Sequence, residues 1–167
     1  MASSRRYEAE YFTATILEWK HLLANDRYKD IIIGSMRHMV EEERAMIHAF
    51  VIMNNHIHLI WHILHPHTRD EVQRDMMKFT AQTIVRELKN HDPEELAKYY
   101  VGATDRKYQV WERNPLSIPL WSEEVVKQKL AYLHNNPVRA GLCKYPEDYK
   151  YSSAQIYMGG EDMFGFI

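Results

Sequence analysis

Two histidines separated by one apolar residue, His56-Ile57-His58, open an eight-residue apolar run, HIHLIWHI. Side chains alternate faces along a strand, so His56 and His58 share one side, about 7 Å apart between α-carbons. Neutral imidazoles at that spacing can converge on one cation. Further along, Tyr132 and Asn136 stand four residues apart in a helical pattern, one above the other on the same face. A phenol is a potential nucleophile and a side-chain amide a potential third metal ligand. On a helix that faces the strand, both can reach a cation held by the histidines, which is the arrangement for metal-assisted nucleophilic attack. On spacing alone the plainer readings stay open: half-exposed strand histidines, a packed helical tyrosine, and an asparagine that ends a helix before Pro137. A second pair, His65 and His67, flanks Pro66 and reads as loop surface.

The elements that must position these groups follow from the pattern. Residues 10–17, EYFTATIL, are rich in aromatic and β-branched side chains and predict a strand. Residues 28–45 predict a helix, with Ile32, Met36, Met39 and Val40 at helical spacing and the EEER run as its solvated end. The apolar runs 46–53 and 56–63 predict paired strands. The Asn54-Asn55 pair between them, tolerant of positive φ, suits a tight hairpin turn. Residues 70–90 predict a second helix with Val72, Met76, Phe79, Thr83 and Leu88 near one stripe, and 91–105 a loop. KYQVWE, 107–112, predicts the fourth strand. The two prolines in 114–121 predict irregular chain. Ser122 caps a last helix, with Glu123 and Glu124 in its first turn, running to about Asn136, where Pro137 stops it. Val126, Leu130 and Leu133 form its packing stripe. His134 lies roughly 200° round from Tyr132 and reads as structural or surface.

Strand, helix, strand, strand, helix, strand is the split βαβ order. The expected fold is α+β and ferredoxin-like: an antiparallel four-stranded sheet, two helices on one face, and a C-terminal helix carrying Tyr132. Ile57, Leu59, Trp61 and Ile63 face the two helices; His56, His58, Ile60 and His62 face the other way.

The 167 residues suffice for one domain, taken as 1–167, with no linker or repeat. The net charge of −2 does not advertise nucleic-acid binding, although a short strand needs only a local basic patch and a divalent metal adds charge of its own. A single cysteine, Cys143, excludes an internal disulfide framework and a cysteine zinc cluster. No run approaches a membrane span, and the start, MASSRRYEAEYF, lacks the apolar run of a secretory signal. A cytoplasmic protein is expected.

The strings VIMNNHIHLIW and YLHNNPVRAGL resemble the two signature blocks of the REP-associated tyrosine transposases. These belong to the His-hydrophobe-His (HUH), insertion-sequence-200-like single-tyrosine transposases. YFTATILEW resembles that family's first strand, YQVWE its fourth, and PEDYKYSSAQIY the segment after the catalytic helix, so the resemblance covers most of the chain. It implies that His56 and His58 are the metal pair, Tyr132 the nucleophile and Asn136 the third ligand. It implies a ferredoxin-like fold, a divalent metal, Mg²⁺ or Mn²⁺, and cleavage of single-stranded DNA through a 5′-phosphotyrosine. The expected substrate is a short DNA hairpin with a nearby guide tetranucleotide, handled by a monomer or a homodimer. Arg86, Lys89, Lys127, Lys129 and Arg139 are candidate DNA contacts. The chain departs from the family at Asn54, often proline there, and in the weakly basic stretch RNPLSIP. Three rivals keep the fold: a replication or plasmid-transfer nickase; a split-βαβ nucleic-acid-binding module that is no enzyme, which calls for ring-stacking aromatics on the sheet; and a retained binding protein that has lost catalysis, against which the intact residues at all four motif positions argue.

Overall fold

A computed structural model describes residues 9–167. Residues 1–8, which bear on the expectation of no secretory signal, lie outside the described part. Four strands, β1 (Ala9–Thr15), β2 (Ala45–Ile52), β3 (His56–Ile63) and β4 (Leu116–Pro119), form one antiparallel sheet in the order β2-β3-β1-β4. Helices α1 (Asp26–Glu41) and α2 (Arg69–His91) connect β1 to β2 and β3 to β4. This is the expected α+β, ferredoxin-like split βαβ.

The sheet is apolar on both faces, for different partners. Phe12, Phe50, Ile57, Leu59 and Trp61 are buried against Ile32, Met36 and Met39 of α1 and Val72, Met76, Ile84 and Leu88 of α2. On the opposite face a smaller cluster joins Tyr11, Ala49, Val51 and Ile60 to Leu133, Val125, Val126 and Leu130 of helix α4 (Glu123–Arg139). The expected alternation of β3 and the expected α4 stripe are both present. No helix is long and apolar enough to cross a membrane among the described residues.

Local chemistry fixes the ends. Asn25 caps α1 by accepting from the Arg27 N–H, and α1 stops at Glu41, short of the expected 45, because Glu43 adopts positive φ and β2 begins at Ala45. Thr68 and Glu71 form a capping box on α2. The buried line of α2 is Val72, Met76, Thr80, Ile84 and Leu88, a strict four-residue repeat. Phe79 and Thr83, expected on that stripe, lie off it, and Phe79 is 53 % exposed. The Asn54-Asn55 turn forms with Met53 N–H donating to His56 O at 2.8 Å. Neither asparagine takes positive φ. The turn is held from outside: Asn54 O accepts from Leu23 N–H at 2.9 Å and Asn55 O from Ile16 N–H at 2.8 Å. Lys29 Nζ also donates to Asn54 Oδ1 at 3.4 Å, a contact that proline could not accept.

Three expectations are corrected. The fourth strand is not KYQVWE. Tyr108 and Trp111 make only isolated bridges, to Tyr100 and Ile16, and β4 forms instead in the stretch expected to be irregular. Pro115 stays outside the strand, and Pro119, its last residue, is tolerated because β4 is an edge strand, pairing with β1 alone. Within 91–105, Asp92 accepts from the Glu95 N–H and Pro93 occupies the first turn of a short helix, α3 (Pro93–Ala97). Finally, Pro137 does not stop α4, which continues to Arg139 with Pro137 buried inside it. Proline removes only its own N–H, and the following turn closes again through Ala140 N–H to Asn136 O at 3.0 Å. Beyond α4 the chain returns along β2: Ile52 N–H donates to Tyr151 O at 2.9 Å and Ser153 N–H to Phe50 O at 3.0 Å. That edge is thereby covered, and the short helix α5 (Ala154–Tyr157) follows.

Candidate active site

β3 lies in the middle of the sheet, with β1 on one side and β2 on the other, and its polar alternates point toward α4. His56 and His58 meet edge to face, ring centroids 4.8 Å apart. Each ring has an outer partner on Nδ1. For His56 it is Asn55 Oδ1 at 2.7 Å. That oxygen only accepts, so Nδ1 carries the proton and Nε2 keeps a lone pair. For His58 the partner is the Thr13 hydroxyl at 2.8 Å, directly across the β1–β3 register. When that hydroxyl accepts, the His58 Nε2 is the free lone pair. Tyr11 stacks on His58 with centroids 5.1 Å apart.

Helix α4 covers this face. The Asn136 amide Nδ2–H donates to His56 Nε2 at 3.1 Å. One turn earlier, the Tyr132 ring stands edge-on to His58 at 6.0 Å and is 51 % exposed, open to a large substrate. The Arg139 guanidinium lies 4.2 Å over the Tyr132 ring and donates to the Tyr132 carbonyl at 2.7 Å. Lys129 Nζ sits 5.0 Å from the Tyr11 ring centre and 5.8 Å from that of Tyr132. His56, His58, Tyr132, Asn136, Lys129 and Arg139 are therefore brought together.

The other candidates are not. Arg86 and Lys89 belong to α2, on the opposite side of the sheet, where Lys89 lies 5.8 Å over the Tyr108 ring. Lys127 is exposed on α4. His134 is buried, with Nε2 2.8 Å from the Ser153 hydroxyl, which accepts in turn from the Phe50 N–H at 3.0 Å. It tethers α4 to the segment covering β2. His67 pairs with Glu71 at 3.9 Å, away from the site. Sequence reasoning missed Thr13, Tyr11 and Trp19, which depend on a register and a loop path with no local signal. It read Asn55 only as a turn residue.

Burial holds both strand imidazoles in the neutral, ligand-competent form. Desolvation lowers His56 to about 4. Desolvation first, then the charges of His56, Arg139 and Lys129, lowers His58 to about 3. No group of three His, Cys, Asp or Glu side chains suited to a metal occurs among the described residues, so a cation here would need the Asn136 amide oxygen as its third donor. Two nitrogens and one oxygen, with positions left open, fit a divalent ion of the Mg²⁺ or Mn²⁺ kind, and histidine also accepts zinc. All three donors are neutral, so the ion's charge would not be cancelled by its ligands.

No family model and no curated protein matches the chain. Solved structures do. The chain is similar to a REP-associated tyrosine transposase bound to a REP hairpin, with a TM-score of 0.68 at 17 % identity, covering 95 % of this chain and 86 % of that one. It is also similar to a candidate transposase from Deinococcus radiodurans R1, with a TM-score of 0.52 at 13 % identity, covering 77 % of this chain and 90 % of the other. At these identities the likeness establishes the fold alone: a ferredoxin-like sheet, here with an extra helix laid across its open face.

Proposed function

We propose that the chain is a DNA transposase of the REP-associated type: a metal-dependent enzyme that cuts and rejoins single-stranded or hairpin DNA through Tyr132. The observation that carries this reading is that one turn of α4 sets Tyr132 against His58 and Asn136 against His56. The transposase fold supports it, and the hairpin bound by one of the structural neighbours supports the choice of substrate.

His56, His58 and Asn136 would hold the metal, which when bound supplies Lewis-acid polarisation of a non-bridging oxygen of the scissile phosphate. The Tyr132 oxygen attacks the phosphorus in line as the bond to the 3′ oxygen breaks. The phenol proton passes to solvent, the departing oxygen takes one up, and the products are a 5′-phosphotyrosine and a free 3′-hydroxyl. Bond energy is kept in the phosphotyrosine, so another 3′-hydroxyl reverses the step and joins new strands without a nucleotide cofactor. Lys129 and Arg139 stand beside the ring to face the phosphate. The exposure of Tyr132 leaves room for a strand rather than a small molecule.

The test is incubation with a labelled library of single-stranded hairpins and Mn²⁺, with and without chelator. A chelator-sensitive protein–DNA adduct that maps to Tyr132 supports the proposal. An adduct at another residue, or none, removes it.

A further inference from the structure

Beside the histidine pair the sheet face continues into a cleft of about 330 Å³, walled by Thr13, Thr15, Trp19, Glu112, Arg113 and Asn114. Thr13 and Thr15 are the β1 residues opposite His58 and His56, so the cleft and the candidate metal site share one floor. Trp19 stands at the boundary, its ring edge-on to His56 at 6.1 Å. This indole is 61 % exposed and belongs to neither apolar core.

A single exposed ring is not unusual, and Trp121 is exposed as well, but the chain around Trp19 is firmly held and sets it beside the cleft. Glu18 and Trp19 both adopt positive φ, at 54° and 58°, a conformation unfavourable to side chains of this kind. The turn is fastened on each side: Trp19 N–H donates to Ile16 O at 2.9 Å, Glu18 N–H to Glu112 Oε1 at 2.6 Å, and Asn55 Nδ2–H to Trp19 O at 3.3 Å. The same cleft is lined by Arg113, which forms no ion pair among the described residues, and by the neighbouring Asn114, which brings an amide. An indole on a firmly held turn, lining one cleft with a guanidinium and an amide, is the equipment for holding one nucleobase, by stacking and by hydrogen bonds to its edge.

We infer that Trp19 and this cleft form a stacking subsite for one unpaired base next to the scissile phosphate, with Arg113 and Asn114 reading its edge. The inference rests on the strand-transfer reading and names where that substrate's neighbouring base goes. Asn55 links the subsite to the chemistry, because the amide that donates to Trp19 O also accepts from His56 Nδ1. The Asn55 side-chain amide is thus shared between the Trp19 backbone and the His56 ring, which places the subsite next to the imidazole pair.

Fluorescence tests this without any cleavage. Trp61 and Trp111 are buried, so in a Trp121→Phe background Trp19 is the one strongly exposed indole. The probes are oligo-dA, oligo-dT and a fully abasic single strand of equal length. The expected result is quenching of the exposed indole by the first two and not by the abasic strand. In cleavage, Trp19→Ala raises KM about tenfold, the loss expected for one base–aromatic stack, leaves kcat nearly unchanged, and is partly rescued by Trp19→Phe. Equal quenching by the abasic strand, no quenching by any strand, or an unchanged KM in Trp19→Ala overturns the subsite. A wild-type protein that binds bases at Trp19 but forms no Tyr132 adduct would overturn the strand-transfer reading and leave the base site standing.

Discussion

Asn136 donates to His56 Nε2 at 3.1 Å across eighty residues of sequence, so the last turns of α4 are bonded to the first residue of β3. Under the proposed function the amide would turn over, so that its oxygen, in place of the nitrogen that now faces His56, meets a cation held by the imidazole. Asn136→Ala is expected to weaken Mn²⁺ binding by more than about tenfold. Asn136→Asp, which adds a negative donor, is expected to tighten it. Calorimetric titration of Mn²⁺ decides both, and wild-type affinity in the alanine variant would exclude the amide as a ligand.

Tyr132→Phe removes one oxygen and leaves the exposed ring between Lys129 and Arg139. Covalent adduct and strand cutting are expected to vanish while hairpin affinity stays close to wild type. Gel assays of adduct and of binding, run side by side, separate the two. Normal cutting by the variant would take Tyr132 out of the reaction.

The outer partners of the imidazoles can be removed without touching a ligand. Thr13→Val and Asn55→Ala each take away the hydrogen-bond partner of an Nδ1. Loss of such partners elsewhere lowers metal affinity about 10- to 100-fold, and that range is expected here, with unchanged circular dichroism. Full Mn²⁺ affinity in both variants would show that ring orientation is set by packing alone.

Acid should weaken the fold in a defined window. Desolvation lowers His134 to about 4, as burial does His56, while the unfolded imidazole titrates near 6.5. Between those values the unfolded chain binds more protons. Stability therefore falls as pH drops through the window and levels off below it, by up to about 1.4 kcal/mol per pH unit for each such group. Urea midpoints at pH 7 and pH 5 measure the slope. His134→Gln should make it shallower by one group, and an unchanged slope would mean that His134 does not titrate across unfolding.

Leu133 is fully buried between α4 and the sheet. Leu133→Ala is expected to cost about 2–5 kcal/mol, as for other buried leucines, and to lower adduct yield through misplacement of Tyr132. Urea unfolding of the metal-free protein reads the first effect. A midpoint unchanged from wild type would mean that the helix is held elsewhere.

The fold was legible because its signals are local and repeated: two strands flanking Asn54-Asn55, helical spacing in α1 and α2, and the Ser122 cap. The errors share one cause, which is that context outweighed a local rule. Pro119 is admitted to β4 because an edge strand leaves one side unpaired, and Pro137 sits inside α4 because a proline disturbs only the turn before it. KYQVWE has strand composition, but only Tyr108 and Trp111 reach bridging partners. At the candidate site, the His56–His58 and Tyr132–Asn136 spacings could be read directly, since each lies within one element. Thr13 could not, because its place beside His58 depends on the β1–β3 register. For Arg86 and Lys89 the only signal is charge, and charge says nothing about which side of the sheet a helix occupies.

Tyr132 and Asn136 ride on a single rigid turn, so they cannot be adjusted independently. A small slide of that helix along the sheet carries the proposed attacker and the proposed ligand by equal amounts, preserving their separation while shifting both relative to the imidazoles. The apolar residues beneath it, Val126, Leu130 and Leu133, thereby act as a vernier: changes in their bulk would retune the approach to phosphorus without altering any reacting group.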